Sequence, residues 1–70
     1  MKIEKELKDK WNEMYLRGDI KLISQLMPKK KRVSEGTIRA SIRAGYFVQP
    51  DLLKAVSDFY KKREEMMKEL

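Results

Sequence analysis

Seventy residues with 17 Lys and Arg against 11 Asp and Glu, a net charge of +6, make one domain at most, with a small core. The chain has no Cys and no His, so it forms no disulfide and lacks the thiolate and imidazole ligands that most protein zinc sites use. No apolar run approaches the roughly 20 residues of a membrane span, and the opening MKIEKELKDK lacks the apolar core of a secretory signal, so the cytoplasm is the expected location.

The first predicted helix covers residues 2–17. Ile3, Leu7, Trp11 and Met14/Tyr15 recur at spacings of three and four, which puts them on one face. Glu4–Lys8, Glu6–Lys10 and Glu13–Arg17 are spaced by four with the acid first, the favourable order for a helical ion pair. Gly18 is expected to close this helix, because glycine tolerates the left-handed backbone of a C-terminal cap.

Asp19 is then placed to cap a short second helix, about residues 20–27, whose apolar face is Ile20, Ile23, Leu26 and Met27. Pro28 ends it, since the residue before a proline avoids the helical region. The string PKKKR at 28–32 forms a basic turn. It resembles a monopartite nuclear localisation signal, a short pattern that also arises readily by chance.

Ser34 is a good N-cap for a third helix over residues 35–44, with Glu35 in the first turn matching the helix dipole. Ile38 and Ile42, one turn apart, are expected to face inward, and Gly45 to cap the end. Tyr46, Phe47 and Val48 connect to a long fourth helix, about residues 50–69. It is opened by Gln49 as cap, by Pro50 at the first position where its missing N–H costs nothing, and by a Val48/Leu53 hydrophobic staple. Leu52, Leu53, Val56, Phe59, Tyr60, Met66, Met67 and Leu70 form its apolar stripe. The stripe either packs on the first helix or serves a homodimer through residues 52–70. Arg63 interrupts the seam and disfavours a long coiled coil. No segment alternates like a strand, so the expected fold is all-α, a compact domain of four to five helices spanning residues 1–70.

Charge singles out the middle of this chain. Residues 1–19 carry five cations and five anions, and residues 48–70 again five and five. Residues 20–47 carry seven cations (Lys21, Lys29, Lys30, Lys31, Arg32, Arg39 and Arg43) against Glu35 alone. A localised positive field is what a polyanion-binding surface requires. The plainer alternative is a solvated basic surface, common on soluble proteins.

The stretch VSEGTIRASIRAG, residues 33–45, resembles the second half of the helix-turn-helix in the lambda-repressor/Cro-like family. Val33 matches the apolar residue ending the turn, Ser34 the polar residue opening the recognition helix, Thr37-Ile38 the recurring pair within it, Ile42 the later apolar lock and Gly45 the closing glycine. In the preceding helix, Ile23-Ser24 resembles the apolar-then-small pair, and Met27 the last apolar residue before the turn. Where the family usually has a single glycine between the positions matched by Met27 and Val33, this chain has five residues, Pro28–Arg32.

The resemblance implies double-stranded DNA as partner, with residues 35–44 in the major groove as a recognition helix. Its contacting positions would be Ser34, Glu35, Gly36, Thr37, Arg39, Ala40 and Arg43. Gly36 and Ala40 would admit the backbone to the groove floor, Ala40 could touch a thymine methyl, and Arg39 and Arg43 could reach guanine edges or phosphates. Lys21, Lys29, Lys30, Lys31 and Arg32 would add phosphate contacts that carry no sequence choice. The implied function is that of a small bacterial or phage-type transcriptional regulator. The alternative is a protein-interaction module using the basic face or the last helix. No enzyme is expected, because nothing pairs a nucleophile with a base. No cofactor, metal, membrane or small-molecule substrate is expected either.

Overall fold

Four α-helices form in the computed structural model, which describes residues 1–68: α1 (Lys5–Met14), α2 (Asp19–Leu26), α3 (Glu35–Ala44) and α4 (Pro50–Lys68). A single 3₁₀ turn, Lys29–Lys31, bridges α2 and α3. The fold is all-α, with no strand among the described residues. Glu69 and Leu70, assigned above to the end of the last helix and its stripe, lie outside the described residues.

α1 is shorter at both ends than the expected 2–17. Residues 1–3 spend their backbone groups on the segment after α3 instead: Ile3 N–H donates to Gly45 O at 2.9 Å, Phe47 N–H to Met1 O at 2.7 Å and the Met1 nitrogen to Phe47 O at 2.7 Å. An isolated antiparallel bridge pairs Lys2 with Tyr46. At the far end Tyr15 turns extended (φ −59°, ψ 128°), and Leu16 N–H donates to Asp19 Oδ2 at 2.7 Å rather than continuing the helix. Gly18 therefore does not close α1. It stands at φ 95° as the residue that opens α2.

The core is assembled from every element. α1 supplies Trp11; α2 supplies Ile20 and Ile23, followed by Met27; α3 supplies Ile38 and Ile42; Phe47 comes from the connection; and α4 supplies Leu52, Ala55, Val56 and Tyr60. Trp11 holds the two halves together. Its ring meets Phe47 edge-on at 6.0 Å and stacks on Tyr60 at 5.9 Å, geometries that the ring quadrupoles favour. The expected inward faces are narrower in fact. Leu7 is 37 % exposed and Leu26 58 % exposed, because Trp11 alone fills the centre of α1's face and Ile20, Ile23 and Met27 already occupy α2's inner side. Val48 is 77 % exposed and adds little as a staple. Gln49 begins α4 through its backbone carbonyl, which accepts from Leu53 N–H, whereas its Oε1 is buried with no hydrogen-bond partner among the described residues.

Asp19 corrects the reading most. Its side chain does not cap α2. It is buried and grips α4: Arg63 Nη1 donates to Oδ2 at 2.6 Å and Nη2 to Oδ1 at 2.7 Å, a two-pronged carboxylate clamp. Arg63 Nη1 also donates to Met14 O at 3.1 Å, and Tyr60 Oη to Asp19 Oδ2 at 3.4 Å. The guanidinium stacks over the Phe59 ring at 4.8 Å. Arg63, read as a break in the helix-four seam, is thus its anchor to the α1–α2 turn. Farther out, Lys10 pairs with Glu64 at 2.7 Å instead of with Glu6, an exposed link that contributes little.

Burial works to raise the Asp19 carboxyl pKa. The Arg63 and Leu16 hydrogen bonds, the Arg63 charge and the Tyr60 hydroxyl outweigh burial and hold it below its ordinary value. Burial, reinforced by the Asp19 charge, pushes Tyr60 upward. A carboxyl whose folded-state pKa is depressed stabilises the fold above its unfolded-state pKa, and this contribution disappears as pH falls through the folded value. Arg63→Ala leaves a buried, uncompensated carboxylate and should cost about 3 kcal/mol at neutral pH. Urea unfolding at pH 7 checks this. The difference between wild type and variant should shrink as the pH is lowered below the ordinary carboxylate range. A pH-independent difference would show that Arg63 acts by packing alone.

Candidate nucleic-acid interface

α3 has the bounds expected from its caps. Ser34 Oγ accepts the Thr37 N–H at 3.2 Å and lies 2.8 Å from the Thr37 hydroxyl. At the other end Gly45 adopts φ 71°, and its N–H donates to Ser41 O at 2.8 Å. A side chain at Gly45 would be strained twice over, by the left-handed backbone and by the Lys8 Cδ that a Cβ would meet at 2.9 Å. The left-handed backbone is the stronger of the two demands for glycine, since the Lys8 side chain is flexible and can move aside.

Ile38, Ser41 and Ile42 are buried and define the inner side of α3. Ser34, Glu35, Gly36, Thr37, Arg39, Ala40 and Arg43 are all exposed. With 3.6 residues per turn, Gly36, Ala40 and Arg43 fall opposite the buried side. Arg39 lies on the flank beside Arg43, and Thr37 on the other flank. The outward centre is therefore nearly bare of side chain, with a basic ridge along one edge. Gly36 has nothing within 4 Å of where a Cβ would stand and no positive φ. Neither packing nor backbone conformation asks for glycine there.

The basic ridge borders α1. Arg39 and Arg43 line a recess with Ile42, with Asn12 of α1 and with Tyr15 just after it. Asn12 Nδ2 donates to Lys8 O at 2.7 Å and to Ile42 O at 3.1 Å, and so ties α1 to the last turn of α3. Neither Arg39 nor Arg43 forms a salt bridge among the described residues. Asn12 was not singled out from the sequence, and Tyr15 was read only as part of the apolar face of the first helix. They lie more than 20 residues before the arginines, and no local pattern links them.

The five-residue turn is ordered and divides its cations into two kinds. Lys31 N–H donates to Pro28 O at 2.9 Å, closing the 3₁₀ turn. Arg32 Nη2 donates to Met27 O at 3.2 Å and satisfies a carbonyl at the end of α2. Lys31 Nζ reaches Asp51 at 3.0 Å, on the first turn of α4. Arg32 braces the turn and Lys31 is engaged in an exposed ion pair of small weight, whereas Lys29 and Lys30 are exposed, with no side-chain partner among the described residues. The widened turn does not separate the helices it joins: α2 packs on α3 and on α4. Lys21 is exposed on α2, and no hydrogen bond or ion pair joins it to α3 among the described residues.

No helix among the described residues is long and apolar enough to cross a membrane. In comparisons with known proteins, no protein-family model, no curated protein and no solved structure matches this chain.

Proposed function

We propose that the chain binds double-stranded DNA sequence-specifically, with α3 in the major groove, as a small regulator of transcription. The observation that carries this reading is the outer face of α3. A glycine that no internal contact requires stands beside Ala40 in a flat strip, with Arg39 and Arg43 along its edge, inside the segment that holds the whole net charge. A helix about 10–12 Å across with its side chains fills a groove about 12 Å wide. The strip would approach the base edges, and the arginine ridge would meet the outermost edges or the phosphate wall. Lys29 and Lys30 would supply contacts to phosphate alone.

Three expectations follow from this arrangement. Gly36→Ala should stabilise the isolated protein by up to about 1 kcal/mol, since the methyl enters open space in a helix, yet weaken duplex binding. A gain in melting temperature with unchanged affinity would remove the strip from the groove. Arg39→Ala and Arg43→Ala should each cost about 1–3 kcal/mol of binding to a site recovered by random-DNA selection. Loss of preference at one base pair would assign that arginine to a base, and a uniform loss with a shallower salt slope would assign it to phosphate.

The Lys29→Gln/Lys30→Gln pair should reduce the slope of log affinity against log salt by roughly 2, while Lys31→Gln changes it much less because that ammonium is shared with Asp51. An unchanged slope in the double variant would take the turn out of the interface. Indifference to every duplex in dilute buffer would retire the DNA reading in favour of a protein partner on the basic face.

A further inference from the structure

The side of the molecule built from the turn before α2, the outer face of α2 and the second half of α4 carries an apolar surface with no intramolecular partner. Leu16, Leu22, Leu26, Met66 and Met67 are each between 48 % and 61 % exposed, around a half-buried Phe59. They belong to one continuous surface. Leu16, Met66 and Met67 share a groove with Phe59 and Lys62, and Leu22 and Leu26 share the adjoining groove with the same two residues. Arg63 lies on its floor, but that guanidinium is committed to Asp19 and stacked on Phe59, so it adds little free charge.

We infer that this surface is where a second copy of the chain docks, about a two-fold axis near Phe59, between Asp58 and Lys62 of α4. Area is the first argument. The exposed side chains amount to roughly 500 Å² of apolar surface, at the upper end of what a monomer leaves open. A standard interface takes about 800 Å² per partner, a little over half of it apolar, so the surface has the size one copy needs to contribute.

Charge is the second argument. Asp58 and Lys62, one turn apart on the rim, form no salt bridge among the described residues. A two-fold contact brings Asp58 of one copy towards Lys62 of the other, twice, while the Leu22/Leu26 end of one copy covers the Met66/Met67 end of its mate. Such a surface is complementary to itself, as an isologous dimer requires. A polyanion finds no match in its apolar centre, and the paired signs of Asp58 and Lys62 suit a second copy, which presents both, better than a surface of one sign. The interface differs from one made by residues 52–70 alone, because α2 and the turn before it, with Leu16, supply half of its apolar side chains.

Sedimentation equilibrium of the full chain, without nucleic acid, tests this independently of the DNA reading. A concentration-dependent dimer is expected. Leu22→Glu and Met66→Glu, both at exposed positions, should abolish it with the helical circular dichroism unchanged. Asp58→Lys and Lys62→Asp should each weaken it roughly tenfold, by setting like charges against each other, and the double reversal should restore it. A chain that stays monomeric to millimolar concentration overturns the inference, as does a dimer that ignores these variants. So does a monomer whose co-sedimentation with phospholipid vesicles is abolished by Leu22→Glu or Met66→Glu, which would pass the surface to lipid.

Discussion

The Asp19–Arg63 pair organises more of this molecule than any other contact. A chain of this length has a small core, and one long helix must be held along the three that precede it. The clamp does this where the apolar side chains of α4 turn outward, between buried Tyr60 and exposed Met66. One carboxylate takes both prongs of Arg63, the Leu16 N–H and the Tyr60 hydroxyl, so it fixes the α1–α2 turn, the start of α2 and the outer half of α4 relative to one another. A buried ion pair is rarely superior to good apolar packing in net stability, and its value here lies in position. It requires Asp19 to leave the capping role that its place before an apolar run suggests, and so α2 begins without a side-chain cap.

Local signals were legible and remote ones were not. The limits of α3 followed from Ser34 and Gly45, because a serine N-cap and a left-handed glycine act on backbone groups only a few residues away. The inward direction of Ile38 and Ile42 followed from periodicity for the same reason. The pairing of residues 1–3 with 45–47 joins segments that carry no mark of each other, so the first turn of the expected helix was read from its spacing alone. The same holds for Asp19 with Arg63. Each looked ordinary in its own neighbourhood, a cap in one case and an interruption in the other. Leu22 and Leu26 show a further limit. Periodicity reveals that a helix has apolar residues but not how wide a stripe its neighbours will cover, and on α2 three residues suffice.

At the candidate site the outward set on α3 could be read from the sequence, since it is the complement of the buried side. What surrounds it could not. Asn12 and Tyr15 border the arginine ridge because Trp11 is pinned between Phe47 and Tyr60 and Asn12 bonds the Ile42 carbonyl, which together hold α1 against the end of α3. Nor did four consecutive cations reveal that two of them have partners within the protein. Arg32 hydrogen-bonds the carbonyl at the end of α2 and Lys31 reaches Asp51 of α4 in an exposed pair, so what looks like an undivided charge run is not one.

That bracing has a bearing on how the exposed half of the run meets other molecules. A lysine pair on a slack loop must surrender conformational freedom whenever it engages a ligand, and the loss comes out of the affinity. Here the backbone carrying Lys29 and Lys30 is drawn into a 3₁₀ turn and tied by Arg32 to the end of α2, with the exposed Lys31–Asp51 pair a weaker link to α4. Much of the ordering is done when the protein folds. An anion arriving at those two ammonium groups would find their backbone already in place, at a set offset from α3, with only side-chain rotation left to settle.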